Sequence, residues 1–198
     1  MTVKIVLEHL YLVFLAVLFS TAVGLPLGIL AYLYRPLRRA VLVTSEILQT
    51  IPALALLGMV MLIFGAGKLT VIIGLVLYSL LPVVHNTFLG LDTINPGIKE
   101  AARGMGLEKW DRLFSIELPL SFPMVFTGIR IATVTSVGVA VFATAVGGGG
   151  LGSIINQGIR TQNMRLMLSG TLTLMAIAVL FDIGMAFIEK KMNQRRSA

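Results

Sequence analysis

Long apolar runs separated by short polar segments dominate the chain. Leu10 to Tyr34 carries no charged residue, and neither does Ile47 to Gly67 nor Leu69 to Leu91. A fourth charge-free run, Ile131 to Ile159, is interrupted by Gly147-Gly148-Gly149-Gly150. Four glycines do not continue a helix, since each is roughly 1 kcal/mol worse than Ala in a helix interior. That span therefore closes near Val146. The last run, Leu166 to Ile188, contains only Asp182. A helix needs about 20 residues to cross about 30 Å of hydrocarbon. The pattern predicts an all-α polytopic membrane protein with five transmembrane helices, at about 8–34, 41–64, 69–91, 122–146 and 166–188. They form one transmembrane domain over 1–198, and the single long polar segment is the loop 92–119. The first run is longer than the apolar part of a secretory signal, and its arginines follow it, so it reads as a span.

Composition agrees with the pattern. The chain is 57% hydrophobic and 13% charged, with a mean hydropathy of +0.93. That excess of apolar residues excludes disorder and a conventional soluble enzyme. With no cysteine, disulfides and thiolate chemistry are excluded as well. The net charge of +7 is read first as topology. Arg35, Arg38 and Arg39 follow the first span. Lys99, Arg103, Lys109 and Arg112 lie between spans three and four, and Lys190, Lys191, Arg195 and Arg196 follow span five. These eleven share one side, against Lys4, Lys68, Arg160 and Arg165 on the other. The bias places the N-terminus outside and the C-terminus in the cytoplasm. The basic tail 190–198 also suits anionic lipid, although the same bias already explains it.

The loop has a readable plan. Asn95 is placed to cap a helix with Pro96 at its first position. Ile98, Ala101 and Ala102 share a face, Glu100 sits in the early turns where the helix dipole favours an anion, and Gly104 is placed to stop the helix. A second amphipathic helix has Leu107, Trp110, Leu113 and Phe114 on one side, with Glu108 and Arg112 spaced as an i,i+4 pair on the other. Physics alone allows two readings: a connector resting on headgroups, with Trp110 as interfacial anchor, or a protruding knob that docks a partner.

The residues of this loop resemble the EAA loop of ABC-importer permeases. Glu100-Ala101-Ala102, three residues, Gly106, nine residues, Ile116, one residue, Leu118-Pro119 reproduces that motif at every anchor. The segments QTIPALALLG (49–58), YSLLPVVHNTFLGL (78–91), ELPLSFPMVFTGIR (117–130) and GGGGLGSII (147–155) are similar to the osmoprotectant subfamily, which serves uptake of glycine betaine, carnitine and choline. The resemblance implies a permease subunit in the bacterial cytoplasmic membrane. Its partners would be two ATP-binding cassette ATPases, a second permease copy or related chain, an extracytoplasmic binding protein and the bilayer, with no nucleic acid. It implies an ATPase-coupling segment at Glu100, Ala101, Ala102, Arg103, Gly104, Gly106 and Leu107. Methionine or another amino acid is the alternative substrate, and on hydropathy alone a passive channel is the second alternative.

This chain has no G-x-x-x-x-G-K-[ST] motif, so ATP hydrolysis falls to another subunit. No catalytic residue, metal site or cofactor is expected. On span four, Arg130, Thr133, Ser136, Ala140 and Thr144 fall within an arc of about 120° at 100° per residue. They line either a water-filled path or a helix–helix contact. His85 and Asn86 of span three are further path candidates. Arg130 needs a partner inside the span, and Glu46 is one possibility. Pro26, Pro52 and Pro82 introduce kinks. Gly24 and Gly28 form a G-x-x-x-G face, and Gly147, Gly148, Gly149 and Gly150 are candidates for an outer gate.

Overall fold

The computed structural model describes the backbone of residues 3–197 and the side chains of residues 3–192. Arg195 and Arg196 of the basic tail lie outside the described side chains. The described chain is helical throughout, with turns between. Helix α1 spans Val3–Leu33, α2 Arg35–Thr50, α3 Ala53–Phe64, α4 Lys68–Asp92 and α5 Pro96–Gly104. A short α6, Lys109–Arg112, passes through a wide π turn, Leu113–Glu117, directly into α7, Leu118–Val139. A 3-10 segment, Ala140–Val146, prolongs α7; α8, Gly152–Arg160, and α9, Met164–Ser197, complete the chain.

Four helical stretches are long and apolar enough to cross a membrane, and a fifth if the α2–α3 pair is counted as one span. The second expected span is not a straight helix. It breaks at Ile51-Pro52, where α2 and α3 meet at 102°. Ile51 is extended (ψ 128°), the conformation a following proline favours. Elsewhere the bundle closes around α4. Leu12, Val13 and Ala16 of α1, Leu57 of α3, Val71 and Leu75 of α4 and Val137 of α7 form one buried core. Gly24 and Gly28 sit against α4: a Cβ on Gly28 would lie 2.6 Å from Thr87 Cβ and 2.8 Å from the Val84 carbonyl. The G-x-x-x-G face is therefore a close helix contact within this chain.

The bundle has two distinct ends. At one, α2 begins, α4 finishes and the 92–119 loop projects as a knob. Arg38 reaches Asp92 (3.7 Å) and lies over the Phe88 ring (4.7 Å), and Glu189 of α9 lines the same cavity as Thr93. The three basic segments that the sequence assigned to one side thus gather at one end. At the other, Glu8 pairs with Lys68 (2.6 Å) beside the tetraglycine.

Candidate functional site

The knob is built by two caps. The Asn95 side chain accepts from the Gly97 N–H at 2.8 Å, with Pro96 in the first turn, as the sequence predicts. The C-terminal stop is different from expectation. Gly104 remains in α5, and the residue with positive φ is Gly106 (+83°). Its N–H bonds the Arg103 carbonyl at 2.9 Å, and the Leu107 N–H bonds the Ala102 carbonyl at 3.2 Å. These two bonds make a complete Schellman motif, in which only the residue after the C-cap must be left-handed. Glu100, Ala101, Arg103, Gly104 and Gly106 are exposed, Leu107 is half-buried and Ala102 is fully buried. Of the three residues assigned to the shared face, Ile98 and Ala101 look outward and Ala102 inward.

The second loop helix is not a separate element, because α6 is one turn that flows into α7. Its expected Glu108–Arg112 pair gives way to Arg112 Nε donating to Glu117 Oε1 at 2.7 Å. Residues five apart lie about 140° apart on an α-helix. The wider π turn over Leu113–Glu117 brings them to one side. Glu117 is 1% exposed, so this is a buried ion pair holding the knob to the first turn of α7. Leu91, Ile94 and Leu113 pack beneath it. Lys99 donates to the Leu91 carbonyl at 2.8 Å and covers the Tyr32 ring. Burial pushes the Lys99 ammonium below its ordinary range, opposed by the nearby Glu117 and Asp92 carboxylates. Trp110 and Phe114 stack on one another at 6.2 Å and remain exposed on the outside of the knob.

The polar stripe of α7 divides. Ser136 shares a 2.7 Å hydrogen bond with Ser79 of α4, and both are fully buried. Thr133 is buried and donates to the Ile129 carbonyl. Thr144 is half-buried on the 3-10 segment, as are His85 and Asn86 on α4, where Asn86 donates to the Pro82 carbonyl. Arg130 turns the other way. It meets Asp182 (2.7 Å) and Glu189 (2.9 Å) of α9, not Glu46, which is exposed on α2. Sequence reasoning missed Ser79, Glu117 and Glu189. The heptad spacing of Asp182 and Glu189, two turns along one helix face, was the available signal for the last.

At the opposite end, Gly147, Gly149 and Gly150 all have φ of +78°. Gly148 and Gly150 are buried, Gly149 is half-buried and Gly147 is exposed. The turn is tied down: the Gly150 N–H bonds Glu8 Oε2 at 3.3 Å, and the Gly67 N–H bonds the Val146 carbonyl at 2.8 Å. Helix α8 then folds back tightly on α9, where a Cβ on Gly158 would lie 2.7 Å from the Met167 nitrogen. Among the described residues no group of three or more His, Asp or Glu is placed to hold a metal ion.

Residues 24–194 match the family described as binding-protein-dependent transport system inner membrane component. The osmoprotectant import permease protein OsmW of Salmonella typhimurium is 39% identical over 180 residues, covering 88% of this chain and 84% of its own length. The glycine betaine/carnitine/choline transport system permease protein OpuCD of Bacillus subtilis is 40% identical over 193 residues, covering 95% and 84%. Among solved structures, inward-facing MetNI methionine ABC transporter matches with a TM-score of 0.87 at 26% identity, covering 96% of this chain and 95% of the other. The chain belongs to the family of binding-protein-dependent transport system inner membrane components, the ABC-transporter permease subunits, which are not themselves enzymes.

Proposed function

We propose that this chain is the membrane-spanning subunit of an ATP-driven importer of quaternary-ammonium osmoprotectants. Family membership brings a bacterial inner-membrane location and, as partners, an ATPase, a substrate-binding protein and another permease chain. The assembly contains two permease subunits, two ATPases and one binding protein. The observation that carries the reading is the knob. Glu100, Ala101, Arg103 and Gly104 form an exposed face, small at Ala101 and Gly104 and charged at Glu100 and Arg103, on a helix fixed at both ends, while Ala102, Gly106 and Leu107 give that face its shape. Ala101 and Gly104 accept close approach by a cleft in the ATPase, and Glu100 and Arg103 supply charge at its rim. The buried Arg112–Glu117 pair passes the resulting displacement into α7.

A path between permease subunits runs beside the half-buried His85 and Asn86 of α4 and Thr144 of the 3-10 segment, while the buried Ser136, bonded to Ser79, and Thr133 lie in the helix packing behind it. Gly147 to Gly150 form its outer gate, and the neighbouring α8–α9 turn meets the binding protein. Substrate selection rests mostly with that protein, whose ligand is a quaternary ammonium held by cation–π attraction. Methionine import shares the fold, but identity there is 26%, against 39% and 40% for the osmoprotectant permeases. The test is uptake of radiolabelled glycine betaine, carnitine and choline into vesicles carrying the assembled transporter, with and without ATP. ATP-dependent uptake of at least one is expected. Flux independent of ATP would establish a channel instead, and ATP-dependent uptake of methionine alone would overturn the substrate class.

A further inference from the structure

Arg130 joins two turns of α9 to one turn of α7. Its Nε donates to Asp182 Oδ1 at 2.8 Å and its Nη1 donates to Glu189 Oε2 at 2.9 Å. Thr127, one turn nearer the knob, donates to the other Glu189 oxygen at 2.5 Å. Asp182 and Glu189 lie two turns apart on one face of α9. A guanidinium is suited to this task because its planar donors engage both carboxylates at fixed angles, which an ammonium does not. Further along α9 the contact with the bundle is apolar, through the half-buried Leu174, Ile177 and Ala178 against the core that contains Val137, so the polar link at Arg130 adds a directional tie to a shallow apolar one.

The other side of Glu189 faces an open cavity of about 410 Å³. Gly90, Thr93, Asn95 and Ile98, at the corner between α4 and α5, line one wall, and Thr127 and Glu189 line the other. A close-packed junction leaves no such space. Gly90 itself is packed on α7, where an added Cβ would lie 3.0 Å from Met124 Cβ, so the space lies beside the turn that follows, at Thr93, Asn95 and Ile98, whereas the far end of the knob is continuous with α7 through the π turn.

We infer that Arg130 is a positioning residue for the transport cycle. With Asp182 and Glu189 it clamps α9 to α7, so that a displacement entering through the knob moves both helices as one body, and the cavity at the α4–α5 corner takes up the difference. The clamp rests on the import reading above. It converts ATPase closure into rearrangement of α9 and leaves nucleotide hydrolysis itself to the partner.

The experiment uses the complete transporter in liposomes and measures uptake and ATP hydrolysis in the same vesicles. For Arg130→Gln, hydrolysis stimulated by the binding protein stays within about two-fold of wild type, while uptake per ATP falls about ten-fold, the size of a typical coupling free energy. The exchange Arg130→Asp with Asp182→Arg keeps one cation and two carboxylates and restores most of the ratio. A merely structural role lowers uptake and hydrolysis in parallel, with no rescue by the exchange, and overturns the clamp, as does an unchanged ratio. Should Arg130→Gln not insert, Glu189→Gln, which keeps side-chain size, is judged by the same ratio. A wild-type control without ATP-driven uptake sinks the import reading and the clamp with it. Normal wild-type uptake with unaltered variant ratios sinks the clamp alone.

Discussion

Ala101 and Ala102 are chemically identical neighbours with opposite surroundings. Ala101 faces outward from the knob, and Ala102 is 0% exposed. Extra volume therefore acts on different objects at the two positions. Ala101→Trp adds bulk to the proposed docking face and leaves the interior alone. The variant is expected to insert with an unchanged apparent melting temperature while losing uptake and stimulated ATP hydrolysis. Ala102→Leu overpacks a filled site, at a cost of about 1–3 kcal/mol, and its melting temperature falls before transport is even tested. Thermal unfolding in detergent, paired with uptake, separates them; equal melting temperatures would refute the assignment of faces. Gly106 belongs with Ala101 in this respect. A Cβ there meets nothing within 4 Å, so Gly106→Asp strains only a left-handed backbone, by about 1–2 kcal/mol, and its loss of uptake reports docking. In the sequence the two alanines are equivalent members of one motif. Burial distinguishes them, and burial depends on how α5 is rotated by its caps.

At the scale of elements, the α1–α4 pair is set by glycine. Gly28→Ala drives a methyl group into Thr87 and a backbone carbonyl that has no rotamer with which to move aside. Its apparent melting temperature is expected to fall well below wild type. Gly58→Ala on α3 is the control: its Cβ meets nothing within 4 Å, and the variant gains helix propensity of up to about 1 kcal/mol. If both variants melt alike, the close contact is wrong. The apolar runs were readable because hydropathy over about 20 residues is a strong signal. The 102° break in the second run was not, since an average over the run is blind to direction. Pro52 marked its place, yet the direction of each half follows from its packing on α4, α2 through Arg38 at Asp92 and Phe88 and α3 through Leu57 at Gly74. The start of α5 was readable from Asn95-Pro96. Its end was misplaced because Gly104 and Gly106 both satisfy a composition rule, and the hydrogen bonds from Gly106 and Leu107 decide between them. Arg112 found Glu117 instead of Glu108 because a π turn altered the spacing on which the pairing rule rests.

For the whole molecule, charge and shape give the same polarity. Arg38, Lys99 and Arg112 are all anchored at the knob end, by Asp92, the Leu91 carbonyl and Glu117 respectively. Lys68 is held by Glu8 at the glycine end. Eleven basic residues lie in knob-end segments and four, Lys4, Lys68, Arg160 and Arg165, in the segments of the other side, with Arg130 inside α7; since a Lys or Arg near a span end resists translocation, this bias predicts the insertion direction. The bias predicts a cytoplasmic knob end, the side on which the proposed docking to an ATPase requires it. Because the chain has no cysteine, single thiols test this without background. Met105→Cys places a thiol on the knob, where the side chain is 72% exposed. Gln162→Cys places one on the exposed α8–α9 turn. In intact cells a membrane-impermeant maleimide is expected to label position 162 and spare 105, and in inverted vesicles the pattern reverses. Labelling of position 105 from outside would put the knob on the face without ATP, and neither the docking reading nor the Arg130 clamp survives that result.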